Sequence, residues 1–213
     1  MPKHGATDQT QSFTFTAASA NGYANDVAYD AGGYALTATT AGDGCAHPVV
    51  ILGNAVTNHS GKTFTITGTD ANDVAITNAI AGPNGNVTVT STKRFKTVSS
   101  VTVDSTTGAD TFDIGWTALA STPWVPLDVR QCPFEVGIGA VLVSGSANYD
   151  LEHTYDDIDT NAVVQVAYNN ATMAGKTASF DVGLTYPVRA VRLDINSHTS
   201  GVMRLSVIQP VRR

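Results

Sequence analysis

Cys45 and His47, a thiol and an imidazole two positions apart, are the residues whose types and spacing most directly suggest chemistry. Such a pair could supply half of a zinc site, or a thiol activated by a neighbouring base. A structural zinc site needs further ligands at matching spacing, and the sequence offers no second pair. The remaining histidines are scattered singly: His4, His59, His153 and His198. We therefore interpret the histidines as structural or surface residues and expect neither a metal nor a cofactor.

The densest acidic segment spans residues 152–159 and reads EHTYDDID. Its carboxylates are oxygen ligands of the kind that Ca²⁺ prefers. An EF-hand loop needs Gly at its sixth position and Glu at its end, and this segment has neither. We favour a solvated loop at the end of a strand, with a Ca²⁺ site as the alternative.

Glycoside hydrolysis is a further chemistry that acidic residues can support, because it uses two carboxylates about 5 to 9.5 Å apart. The chain has only two glutamates, Glu135 and Glu152. Most aspartates stand beside Asn, Gly or Thr, where ending a strand is a sufficient role for them. We therefore expect a non-enzymatic protein without catalytic residues, and a glycan hydrolase is the least favoured hypothesis.

Aromatic side chains could stack on sugar rings or anchor an interface, because their rings are apolar and several carry a polar group. The candidates are Trp116, Trp124, Tyr149, Tyr155 and Tyr168. Burial in the core is the usual position of such rings. Among them, we expect Trp124, between Pro123 and Pro126, to be the exposed anchor.

One basic cluster, Lys93-Arg94-Phe95-Lys96, interleaves cations with an aromatic residue. Nucleic-acid binding depends on clustered Lys and Arg that release counterions from phosphates, whereas this chain has a net charge of −6. Charges on a Thr- and Val-rich strand commonly protect an edge strand against pairing. We predict no nucleic-acid partner, and we assign the three cations, with Trp124 and its flanking prolines, to an interface.

The elements that position these residues are predicted to be β-strands. Only 14% of the 213 residues are charged, and the chain holds 29 Thr and 24 Val against 9 Leu and 2 Glu. Thr and Val suit a pleated surface, whereas Leu and Glu favour helices. The sequence shows neither a helical period nor a heptad repeat. It therefore predicts an all-β protein.

Alternating apolar residues and turn residues mark strands in the first half of the chain. Phe64 and Ile66 fall on one face of a strand, and residues 70–73, Asp-Ala-Asn-Asp, form the reversal into a second strand. Asn84-Gly85 supplies another turn. Further strands are predicted at 12–16, 34–39, 87–90, 95–104 and 111–116, and residues 17–33 are predicted to be a loop.

Prolines at positions 123, 126 and 133 interrupt the alternation, because proline cannot donate to a ladder. We predict a flexible arm over 1–11, a β domain over 12–118, a Pro-rich linker over 119–133 and a second β domain over 134–213. Strands of the second domain are expected at 134–144, 147–155, 162–168, 177–185, 188–196 and 202–209. Strands of this length and spacing are typical of antiparallel β-sandwich or jelly-roll-like modules.

Neither a signal peptide nor a membrane partner is expected. The first ten residues, MPKHGATDQT, contain no apolar stretch, and no run of about 18 apolar residues occurs in the chain. Outside a secretory setting, Cys45 and Cys132 are better interpreted as free, buried residues than as a disulfide, which remains the alternative.

Several strand-and-turn segments carry a resemblance to a known class of protein. They are 66–70 (ITGTD), 80–83 and 92–103 in the first half, and 134–139 (FEVGIG), 151–157 (LEHTYDD), 180–187 and 188–195 in the second half. In these segments the chain resembles the β-rich virion structural proteins of tailed bacteriophages. The resemblance implies a non-enzymatic particle component, made in the host bacterial cytoplasm and carried in the virion as a homo-oligomer, with a trimer favoured.

The leading hypothesis is a capsid-associated decoration, cement or head-fibre-type protein that stabilises the particle by oligomeric docking. Its expected partners are further copies of itself and the major capsid protein or other virion proteins, and the arm over 1–11 is the expected docking segment. A neck or tail component, or an appendage module that binds a receptor or a host-surface glycan, is the alternative.

Removal of divalent cations tests the acidic segment. If residues 152–159 form a solvated loop, EDTA leaves the melting temperature measured by circular dichroism unchanged, because no bound ion is lost. A decrease of the melting temperature in EDTA that excess Ca²⁺ reverses would instead support the Ca²⁺ site.

Overall fold

The computed structural model describes residues 6–30, 32–158, 166–169 and 171–210. Its strands are β1 (Ala6–Thr14), β2 (Ser19–Asp30), β3 (Gly33–Tyr34), β4 (His47–Gly53), β5 (Thr63–Thr69), β6 (Ala75–Ala81), β7 (Thr88–Phe95), β8 (Thr97–Val103), β9 (Thr111–Trp116), β10 (Ala120–Ser121), β11 (Val125–Pro126), β12 (Val136–Thr154), β13 (Phe180–Leu184) and β14 (Ala190–Pro210). No helix occurs among the described residues, and the all-β prediction is confirmed. None of them therefore belongs to a helix that could cross a membrane.

The chain divides into two compact units. The terminal unit combines Met1–Phe15 with Thr122–Arg213, and the central unit is Thr16–Ser121. The first boundary follows Phe15 rather than residue 11, and residues 6–11 of the expected flexible arm belong to β1. The second boundary falls within the predicted linker, after Ser121. Residues 1–5, which include His4, lie outside the described residues. The arm has no apolar alternation, and the backbone pairing of β1 with β14 holds it in place.

The terminal unit is built on one long antiparallel pair. Its sheet has the order β1-β14-β12-β13, with β11 also paired to β14. β12 and β14 pair from Gly137 opposite Ile208 to Thr154 opposite Ala190, and we call this pair the β12–β14 ribbon. The sequence predicts breaks at 145–146 and 197–201, but β12 and β14 continue through these positions with irregular pairing.

Gly145 marks the irregular part of the ribbon. It has a φ of +73°, and a Cβ at this position would lie 2.6 Å from the carbonyl oxygens of Ser200 and Thr199. The register of β12 against β14 shifts on both sides of this position. Such bulges bend a strand without ending it. A glycine there is consequently required by both the backbone conformation and the close approach of β14.

Most of the predicted linker is an integral part of the terminal unit. The amide of Thr122 donates to the carbonyl of Leu193 at 3.0 Å, and its hydroxyl accepts from the Leu193 amide at 3.0 Å. The side chain of Gln209 is buried and bonds both the amide and the carbonyl of Asp128, each at 2.8 Å. The prolines interrupt the ladder, but these neighbouring groups restore the attachment to β14.

The central unit contains a five-stranded sheet, β3-β2-β9-β4-β7, and a three-stranded sheet, β6-β5-β8. Residues of both sheets share one core, in which the Tyr34 ring stacks on Phe64 at 5.7 Å and both contact Phe112. The predicted β5–β6 hairpin is confirmed. Its turn is held by Asp70, whose Oδ1 accepts from the amides of Asn72 and Val74 at 2.8 and 3.0 Å.

Two strands of the central unit run against the sequence pattern. Residues 17–33, predicted to be a loop, contain β2. The register of β2 against β9 shifts twice, and buried and exposed residues of β2 do not alternate regularly. β4 was not predicted at all, because the run HPVVILG is buried almost throughout and shows no alternation. Conversely, the predicted strand over 34–39 retains only Tyr34 in β3.

A buried ion pair fixes the segment that leads into β4. The Asp43 carboxylate accepts from His47 Nε2 at 2.9 Å and from the amides of Thr16 and Cys45 at 3.0 Å each. His47 Nδ1 lies 3.1 Å from the carbonyl of Thr117, so each ring nitrogen faces an oxygen atom. Burial alone would raise the pKa of Asp43, but the hydrogen bonds and charge of His47 outweigh it and lower that pKa.

Replacing the buried carboxylate tests this pair. Asp43→Asn should lower the free energy of unfolding by about 3 kcal/mol at pH 7, because it removes the charged member of a fully buried, hydrogen-bonded pair. The control Asp73→Asn, which removes the exposed partner of Lys96, should cost less than about 1 kcal/mol. Urea denaturation measures both.

The contribution of Asp43 to the free energy of unfolding depends on pH. Since the pKa of Asp43 is lower in the folded than in the unfolded chain, its contribution is complete above about pH 4 and is lost as the pH falls through the folded value. The difference in the free energy of unfolding between the wild type and Asp43→Asn should therefore decrease below about pH 4. A constant difference would contradict the ion pair.

Candidate functional site

Three exposed tyrosines surround a buried imidazole at the end of β12. Tyr155, Tyr168 and Tyr186 are 48%, 45% and 38% exposed, whereas His153 is 6% exposed. Their ring centroids lie 5.4, 5.9 and 5.8 Å from that of His153. We call these four residues the tyrosine cluster.

The backbone of β12 sets the geometry of the tyrosine cluster. His153 is the penultimate residue of β12, and its amide and carbonyl bond the carbonyl and amide of Tyr168 at 2.9 and 2.8 Å. The Thr154 hydroxyl accepts from the Asp156 amide at 3.1 Å, in the turn that follows the strand. Tyr186 reaches the cluster from the connection between β13 and β14. Three separate chain segments thus converge on one imidazole.

Burial determines the charge state of the tyrosine cluster. Burial lowers the pKa of His153, so its ring is neutral at pH 7, and its buried Nδ1 has no hydrogen-bond partner among the described residues. The pKa of Tyr186 is raised, first by burial and then by the proximity of Tyr155. His153 and Tyr186 are therefore uncharged at pH 7, and the cluster offers a chemistry of ring stacking and hydrogen bonding.

Carboxylates precede His153 and follow Tyr155 in the sequence. Glu152 Oε2 accepts from Arg192 Nε at 2.8 Å, and Asp156 Oδ2 accepts from the Val166 amide at 2.6 Å. The acidic segment 152–159 is thus a strand end and turn, with Asp159 outside the described residues. Within the described part of the chain, no group of three or more His, Cys, Asp or Glu side chains could hold a metal ion.

The predicted aromatic platform is divided by the structure. Tyr155 and Tyr168 are exposed in one cluster, but the other three candidates are buried. Trp116 Nε1 donates to the Ala17 carbonyl at 2.9 Å, and the Tyr149 hydroxyl donates to the Ala178 carbonyl at 2.7 Å. Their polar groups are satisfied inside the protein, as buried Trp and Tyr require.

Trp124 is not the exposed anchor that its flanking prolines suggested. Its ring is 6% exposed and lies beneath the Arg192 guanidinium, 4.3 Å from the ring centroid. That prediction is wrong, because the sequence did not reveal the covering arginine. Pro123 is half-buried and Pro126 is exposed. An interface role for the three residues stays a prediction.

Lys93 and Arg94 of the basic cluster lie on β7, the edge strand of the five-stranded sheet, and Lys96 lies between β7 and β8. Lys96 Nζ lies 2.8 Å from Asp73, the Arg94 guanidinium donates to Ser121, and Lys93 is exposed. The position at an edge agrees with the interpretation of these charges as protection against strand pairing. Their assignment to an interface stays a prediction.

The thiol and imidazole of the sequence motif do not form a reactive pair. Both nitrogens of His47 are engaged by Asp43 and Thr117, and Cys45 Sγ lies 3.8 Å from the Asp43 carbonyl. Burial raises the pKa of the Cys45 thiol, which keeps it protonated. Both cysteines are free, but Cys132 is exposed rather than buried as predicted.

A second surface lies at the opposite end of the ribbon. An open groove of about 500 Å³ is lined by Glu135, Gly137, Gly183, Leu184, Ile208 and Pro210, among others, and we call it the β13 groove. A Cβ built on Gly137 or Gly183 would meet nothing closer than 3.9 Å. Ile208 is 51% exposed. Among the described residues, nothing covers the apolar floor of the groove.

No family model, curated protein or solved structure matches the chain. Roles for the tyrosine cluster and the β13 groove consequently follow from their own geometry and chemistry. Tyr186 and Ile208 were both missed by the sequence reasoning. Tyr186 precedes a proline in a connection between strands, which was the available signal for an exposed ring.

The buried imidazole predicts a specific pH dependence. Because the folded state disfavours protonation of His153, the unfolded chain takes up a proton first as the pH falls through about 6.5, and the wild type loses stability there. His153→Phe should lose less stability between pH 7.5 and pH 5, measured by urea denaturation. Tyr155→Phe, which leaves His153 in place, should retain the wild-type slope, and equal slopes for all three proteins would contradict the assignment.

Proposed function

We propose that this chain is a non-enzymatic structural protein of a tailed-bacteriophage virion that docks as a homo-oligomer. A capsid-associated decoration, cement or head-fibre-type role is the form we favour. The β13 groove is the observation that carries the docking proposal. The resemblance of the strand-and-turn segments to virion proteins supports the setting.

The groove has the properties of a surface that another copy covers. Ile208 is a large apolar side chain, half-exposed beside glycines that offer no side chain to obstruct an approaching backbone. Fully buried centres of homo-oligomeric interfaces are apolar and poor in charge, and Glu135 is a charged residue at the border of this groove. Closed symmetric assemblies form when such patches are self-complementary.

Strand β13 adds a backbone contribution to the same surface. In the described sheet it is the terminal strand, with β12 on one side. The unpaired edge of such a strand presents N–H and C=O groups that a strand of a second copy can pair with. Binding that stabilises an assembled lattice lowers the free energy of that state by mass action, and several linked contacts add avidity.

The proposed partners are further copies of the chain, with a trimer favoured, and the major capsid protein or another virion protein. A neck or tail position is the alternative. The tyrosine cluster favours a second candidate function, an appendage module that binds a glycan. Mass spectrometry and immunogold labelling of purified phage particles test the virion setting, and absence of the chain from such particles would contradict it.

A charge placed in the groove should prevent self-association. Ile208→Asp is expected to be monomeric by light scattering at concentrations where the wild type is oligomeric, because a buried, unpaired carboxylate opposes association. The matched control is Val143→Asp, which changes an equally exposed residue of β12 outside the groove, 56% against 51% exposed, and should leave the oligomer intact. A monomeric wild type, or loss of the oligomer in the control alone, would contradict docking through the groove.

A further inference from the structure

We propose that the tyrosine cluster is a binding site for a neutral carbohydrate. This inference concerns the end of the ribbon opposite the β13 groove and does not rest on docking through that groove. It goes beyond the general possibility of glycan binding by assigning the site and the charge class of the sugar.

The rings offer the stacking surface. Tyr155 and Tyr168 are nearly half-exposed, and their centroids lie 5.5 Å apart with ring planes inclined by 65°. Each ring is held from beneath, because both contact the buried His153 ring. Rings fixed in this way lose little conformational entropy on binding, and their apolar faces suit the C–H face of a pyranose.

Hydrogen-bonding groups accompany the rings. The three tyrosines carry hydroxyls that both donate and accept, which matches the hydroxyls of a sugar. Within the part of the chain that the structure describes, the buried His153 Nδ1 has no hydrogen-bond partner, and such an atom carries a desolvation cost that a bridging water would relieve. The combination of apolar faces with neutral polar groups is what distinguishes this site from a purely apolar patch.

Charge selects the class of sugar. Asp156 and Asp157 follow the end of β12, directly after Tyr155. The chain as a whole has a net charge of −6. A sialylated, uronate or phosphorylated sugar would meet like charge, so neutral hexoses and N-acetylhexosamines are the favoured ligands.

The size of the patch favours a sugar over a protein partner. From their exposed fractions, the three tyrosines present roughly 200–300 Å² of accessible surface. A stable protein interface covers about 800 Å² on each partner. One or two sugar rings fit this area, whereas a protein would need contacts well beyond it.

Binding is tested with defined probes. The full-length protein is screened on an array of neutral oligosaccharides built from glucose, galactose, mannose and N-acetylhexosamines, with sialylated and uronate-containing oligosaccharides beside them. The best neutral oligosaccharide is then titrated by calorimetry to obtain the Kd of a single site. We expect selective binding of a neutral probe.

Variants separate stacking from hydrogen bonding. Tyr155→Ala and Tyr168→Ala should weaken binding about tenfold or more, because each removes a stacking face. The conservative Tyr168→Phe keeps the ring and should bind within about threefold of the wild type. Circular dichroism confirms that each variant is folded.

Ile208→Asp distinguishes this inference from the proposed docking. It should keep the wild-type Kd for the titrated oligosaccharide even where it abolishes the oligomer. A silent array, a preference for anionic probes, or unchanged binding by both alanine variants would overturn the carbohydrate site. Loss of the oligomer in Tyr155→Ala would show a protein interface in its place and would equally overturn it.

Discussion

The antiparallel pairing of β12 with β14 is the constraint on which the terminal unit depends. It runs from Gly137 opposite Ile208 to Thr154 opposite Ala190, and β1, β11 and β13 are all attached to one of these two strands. At about 3.4 Å per residue, the ribbon separates its two ends by at most about 58 Å. The β13 groove lies at one end and the tyrosine cluster at the other, so the proposed docking and the proposed sugar binding use separate places on one pair of strands.

Each of these two surfaces is supported by backbone structure more than by its own side chains. The groove is flat because Gly137 and Gly183 lack side chains at adjacent strand positions. The tyrosine cluster exists because the backbone of Tyr168 pairs with that of His153, in a part of β12 that β13 does not reach. In the central unit, by contrast, the fully buried side chains of Asp43 and His47 fix the loop that leads into β4.

Local chemistry made part of this structure predictable. Composition was sufficient for the all-β class, and the Asp70 turn located the β5–β6 hairpin because its side chain bonds its own backbone. β4 and the continuity of the ribbon were not predictable, since a strand buried on both faces does not alternate and a bulge at Gly145 resembles a turn in the sequence. Tyr155 and Tyr168 were identifiable as candidate rings, but their exposure, and the burial of Trp124 beneath Arg192, depend on contacts between residues far apart in the chain.

The central claim is that the ribbon docks at one end while the other end stays open, and hydrogen exchange on dilute and concentrated protein tests it most directly. If the claim is right, self-association slows amide exchange in peptides that cover residues 135–137, 183–185 and 208–210, and exchange around residues 153–155, 168 and 186 does not change. Slowed exchange at the tyrosine cluster on association, with no change at the groove, would contradict the account.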